Sequence, residues 1–118
     1  MRPNRLTLND ALFPVQAFFN AIPDAEFPRV IALLVSGVGY VFNEVACTFP
    51  DDLDPGDEQF EGVQFAVGNE EITLPRAECA KYIELAIEQH LKSRPADAPA
   101  LNRSVQELKT LPEWQGVV

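Results

Sequence analysis

The chain has few of the residues that most often carry chemistry or covalent bracing. It holds two cysteines, one histidine and one tryptophan, and its 9 Lys and Arg face 18 Asp and Glu. Two thiols cannot build the disulfide framework of a small secreted domain, and Cys47 and Cys79 read as small buried apolar groups. Long hydrophobic runs are missing too. The longest uncharged apolar stretch, Val30 to Phe42, is interrupted by Ser36, Gly37 and Gly39 and falls well short of the ~20 residues that span a bilayer. Met1 to Asp10 is basic but has no apolar run of signal-peptide length behind it, so no membrane association is expected and the expected address is the cytoplasm.

The same scarcity excludes several chemistries. A zinc site would join His90 to Cys79 and Cys47, but Cys79 and His90 lie on one predicted helix, roughly 16 Å apart along its axis. His90, Ser93 and Asp97 superficially resemble a catalytic triad, yet they occupy a helix end and a proline-rich loop, and His90 reads as part of a solvated helix terminus. Gly37 and Gly39 belong to neither a dinucleotide fingerprint nor a phosphate loop. No basic patch is present to bind nucleic acid. No catalytic residue, metal ligand or cofactor is therefore assigned, and enzymatic activity is not expected.

What the sequence does have is acid, and it is concentrated. Asp51-Asp52-Leu53-Asp54-Pro55-Gly56-Asp57-Glu58-Gln59-Phe60-Glu61 carries six carboxylates in eleven residues without a cation. From Glu44 to Glu78 there are ten acids against Arg76 alone, a net charge of −9 that equals the net charge of the whole chain. Charge placed this locally points to recognition of a basic partner rather than to general solubility. A calcium loop registered on Asp52 fails, because Asp57 stands where glycine is required and Val63 where the bidentate glutamate belongs. A catalytic carboxylate pair would need one desolvated member, which an exposed acidic loop does not offer.

At 118 residues the chain fits one domain, 1–118, and its pattern predicts an α+β fold: a small antiparallel sheet of about three strands packed against four helices. Val15, Phe18, Phe19 and Ile22 share one helical face, closed by Pro23. A second helix runs through Phe27, Val30, Ile31, Leu34 and Val35, with Asp24 as its expected N-cap and Gly37 as its stop. Alternation then predicts a strand over Gly39–Phe49, and Glu61–Val67 and Glu70–Leu74 read as a hairpin turning at Gly68-Asn69. Cys79, Tyr82, Ile83, Ala86, Ile87 and Leu91 mark a third helix entered at Pro75. After a loop over Ser93–Pro99, a fourth helix carries Leu101, Val105, Leu108 and Leu111, with Trp114 placed to pack its end.

The acidic segment thus leaves a strand as a loop whose geometry Pro50, Pro55 and Gly56 restrict and which Phe49, Leu53 and Phe60 can pin to the core. Glu70 and Glu71 on the hairpin are expected to add to the same field. Each close pair of like charges repels by about 1 kcal/mol or more at surface dielectric, which a cationic partner would relieve.

Phe49-Pro50-Asp51-Asp52-Leu53-Asp54-Pro55, then Phe60-Glu61-Gly62-Val63-Gln64-Phe65 and Glu70-Glu71-Ile72, resemble a segment of the immunity proteins of contact-dependent growth inhibition systems, specifically those that counter ribonuclease toxins. A looser resemblance runs from about Phe18 to Leu108. It departs at Leu74-Pro75-Arg76-Ala77, where an acidic or serine-rich helix start is expected. The resemblance implies a noncatalytic, one-to-one complex with the C-terminal domain of a cognate ribonuclease toxin. In that reading Asp51, Asp52, Asp54, Asp57, Glu58, Glu61, Glu70 and Glu71 face toxin cations, with Phe60 as an apolar anchor. The alternatives are an acidic adaptor for another basic protein, a nucleic-acid mimic that competes with DNA, and, least supported, a small hydrolase.

Overall fold

Proline and glycine set most element boundaries in the computed structural model, which describes residues 5–56 and 60–114, except for the side chains of Asp51 and Glu113. Helix α1, Phe13–Ala21, carries Pro14 in its first turn, where a missing N–H forfeits no helical bond. Val15, Phe18, Phe19 and Ile22 are fully buried, as their spacing predicts. Helix α2, Phe27–Val35, likewise has a first-turn proline and is followed by Gly37 at φ +83°, a conformation open to glycine without steric penalty.

Asp24 is not the N-cap of α2, which has no side-chain cap. Its carboxylate instead pairs with the buried Arg5 at 2.7 Å. Arg5 Nη1 also donates to the carbonyls of Phe19 and Ile22 at 2.6 and 2.8 Å, at the end of α1 where carbonyls lack intrahelical partners. The guanidinium lies 4.2 Å from the Phe27 ring centroid. A carboxylate, two carbonyls and an aromatic face together offset the desolvation of this cation.

The strand expected over Gly39–Phe49 is two strands, β1 (Tyr40–Phe42) and β2 (Val45–Thr48), because Asn43 adopts φ +55° and reverses the chain. Asparagine tolerates that left-handed conformation better than most residues. With β3 (Val63–Val67) and β4 (Glu70–Leu74) the sheet is a four-stranded antiparallel meander in the order β1-β2-β3-β4. The register aligns Tyr40, Cys47, Phe65 and Ile72 in an inward row. It also aligns two outward rows, Val41–Ala46–Ala66–Glu71 and Thr48–Gln64–Thr73. Phe18 and Phe19 of α1 meet Phe65 on the inner face at 5.5 and 5.8 Å between ring centroids. Val45, Cys47, Val63, Phe65 and Leu74 are buried there, whereas no residue of the outward rows is.

Helix α3, Arg76–Ser93, follows Pro75 and buries Cys79, Ile83, Ala86 and Ile87. Much of the loop expected over Ser93–Pro99 is a 3-10 turn, Pro95–Asp97, that leads directly into α4, Ala98–Thr110. His90 is buried rather than solvated at its helix end. Its ring stacks on Phe27 at 4.3 Å and 20°, and Nε2 lies 2.7 Å from Asp97 Oδ2. Trp114 packs the end of α4 as expected, and its indole N–H donates to the Val35 carbonyl at 2.9 Å, tying the last described residue to the end of α2.

Candidate functional site

The acidic segment is anchored at its root. Phe49 leaves β2 fully buried and meets Trp114 edge to face at 6.0 Å. The Arg76 guanidinium sits 5.0 Å from the Phe49 ring centroid and 5.3 Å from that of Trp114. The single cation among the acids from Glu44 to Glu78 thus lies over two core rings.

Pro50–Asp52 then forms a 3-10 turn. Asp52 Oδ2 accepts two backbone N–H bonds, from Phe49 at 2.8 Å and from Gly39 at 2.9 Å. The first closes the turn on itself, in the manner of a carboxylate reaching back to a helix N-terminus. The second ties the loop to the residue before β1. A Cβ at Gly39 would collide with both the Asp52 carboxylate and the Cys47 carbonyl, so glycine is what permits this approach. Asp52, nominated as a recognition residue, has a structural task as well.

Beyond the turn, Leu53 and Phe60 are half-buried while Asp54 and Glu61 are exposed. Gly56 and Gly62 adopt φ +100° and +93°, and a Cβ on Gly62 would run into the Leu74 carbonyl. Asp57 and Glu58 lie outside the described residues, as does the side chain of Asp51.

Glu70 and Glu71 are exposed but sit at the other end of the sheet. A meander puts alternate connections at opposite ends. The β1–β2 and β3–β4 turns therefore share one end, where the Gly68 N–H donates to the Glu44 carbonyl at 3.2 Å. The β2–β3 segment carrying Asp54 and Glu61 occupies the opposite end. A five-residue strand rises about 3.3 Å per residue and so separates the two groups by well over the ~8 Å Debye length at physiological salt. The expectation of one shared field is corrected to two acidic edges with the sheet between them.

Other polar features serve the fold. The buried His90 pairs with the partly exposed Asp97, with Asp24 3.9 Å from His90 Nδ1, and Ser93 is exposed while His90 is buried. Cys47 and Cys79 are buried free thiols, and burial pushes both well above the ordinary thiol range. A shallow groove of about 400 Å³ between α2 and α4 is lined in part by Arg29, Arg103, Ser36 and Glu107.

Residues 11–105 match a family model described as CDI immunity protein. The chain belongs to that family. No curated protein matches it. As a CDI immunity protein it has an immunity role in contact-dependent growth inhibition and a cognate toxin protein as its partner. The matched region takes in the whole sheet, α1 to α3 and the acidic segment. Sequence reasoning found the acidic segment, but not Gly39 and Arg76, which shape and anchor it. Asp52 thirteen residues after Gly39 gave no local signal, and Arg76 meets Phe49 only through the tertiary fold.

Proposed function

We propose that this immunity protein is a noncatalytic, stoichiometric inhibitor of a ribonuclease toxin domain, acting in the cytoplasm of the cell it protects. The acidic β2–β3 segment occupies the cationic surface on which the toxin would otherwise hold RNA. A ribonuclease must present cations to RNA phosphates, and a pre-ordered anionic segment competes for them without doing chemistry. The observation that carries this reading is the anchoring of the segment: Phe49 in the core and Asp52 bonded to two backbone amides. Asp54, two residues beyond this anchored root, is thereby presented at lower entropic cost on binding. Asp54 and Glu61 face toxin cations together with Asp51, Asp57 and Glu58, Phe60 is an apolar anchor at their edge, and Asp52 holds the shape. Glu70 and Glu71 contact the toxin from the other acidic edge.

The test uses the domain of the cognate toxin. Titrating the immunity protein into a fixed amount of that domain should abolish RNA cleavage at one molar equivalent. Cleavage that persists in an isolated, saturated complex, or a toxin whose only substrate is DNA, overturns the proposal.

A further inference from the structure

We propose that the outer face of the sheet is a second part of the docking surface, receiving a flat, cation-bearing patch of the same toxin between the two acidic edges. This rests on the immunity reading above and adds to it where the toxin sits.

Four observations carry the inference. The helices pack on the inner face, so among the described residues neither outward row contains a buried side chain. The centre of the face is built from Ala46 and Ala66, side by side in register, which leaves a low platform that another backbone can approach closely. Its rim carries Val41, 69 % exposed, a larger fraction than Phe13, Val38 or Leu85 at 42–44 %. The only charged residue in the rows is Glu71, and no cation interrupts them.

Size points the same way. A stable interface takes about 20–30 residues from each partner. The acidic segment supplies eight described residues, so the contact must spread, and the row Thr48–Gln64–Thr73 directly borders it. The groove between α2 and α4 mixes Arg29 and Arg103 with Glu107, and Arg29 is paired with Glu26, so it offers a cationic toxin no net negative field. The outer face runs from the acidic segment to Glu71 and the far edge with no cation in its rows.

The experiment measures calorimetric affinity for the cognate toxin domain with Ala46→Lys and Ala66→Lys, each a long cation raised from the platform. Gln106→Lys on the exposed side of α4 is the charge-matched control. Each platform variant should bind at least tenfold more weakly with unchanged thermal melting, and the control should bind like the parent. Should either platform variant misfold, Thr73→Lys, at an exposed position of the same face, reads the same surface. Parent affinity in the folded platform variants overturns this inference and leaves the immunity reading standing, whereas a parent protein that binds no toxin overturns the reading itself. If the variants alter self-association in sedimentation but not toxin binding, the face belongs to a second copy of this chain and the inference fails.

Discussion

Replacing Asp52 by alanine removes both backbone bonds that shape the root of the acidic segment, from Phe49 and Gly39. Hydrogen bonds to a charged group contribute about 1.5–3 kcal/mol each when shielded. Asp52 is exposed, so water competes for its oxygens and the loss falls to the range of a helix cap, roughly 1–2 kcal/mol. For a chain of this size that lowers the melting temperature by several degrees. Asn retains one acceptor oxygen, so Asp52→Asn should lose less. The specific readout is amide hydrogen exchange at Gly39 and Phe49, which should accelerate together at least tenfold while core amides of β3 stay protected. Gly39→Ala should reproduce the effect, because its methyl group would displace the same carboxylate. If Asp52→Ala melts like the parent and both amides stay protected, the carboxylate does not order this turn.

Arg5→Ala removes the guanidinium that the Asp24 carboxylate and two carbonyls at the end of α1 bond to. The loss should be about 3 kcal/mol by urea denaturation, the low end for a broken buried pair, because Asp24 keeps 31 % side-chain exposure and can rehydrate; a loss under ~1 kcal/mol would show that Arg5 does not clamp the helix. Cys47 and Cys79 should resist a disulfide reagent at pH 8 in the native protein and both react in urea, since burial holds them in the neutral thiol form. Because their folded values are raised above the ordinary 9.0, their contribution is whole below about pH 9 and is lost as pH rises further. The urea midpoint should therefore fall between pH 8 and pH 10, and a constant midpoint contradicts the linkage.

The helices were legible because apolar residues three and four apart need only local geometry. Val15, Phe18, Phe19 and Ile22 fall on the buried side of α1. The acidic segment was legible because charge is read directly from composition. The β1–β2 turn was missed since a single left-handed residue, Asn43, reverses an otherwise β-branched and aromatic run. Asn43 and Glu44 already broke its alternation, which was the available signal. That turn also decides the electrostatics, for it adds a strand and sets Glu44 beside the β3–β4 turn, away from Asp54 and Glu61. The burial of His90 and the pairing of Asp24 with Arg5 depend on contacts between segments distant in sequence, and no local pattern encodes them.

The central claim is that acids on the β2–β3 segment draw in a cationic nuclease surface, and stopped-flow association with the cognate toxin domain tests it directly. The rate constant for the parent should fall steeply as salt is raised, and an Asp54→Asn, Glu61→Gln double variant should associate several-fold more slowly with a flatter salt dependence. Equal rates and equal salt slopes for the two proteins would mean that the toxin is captured by some other surface.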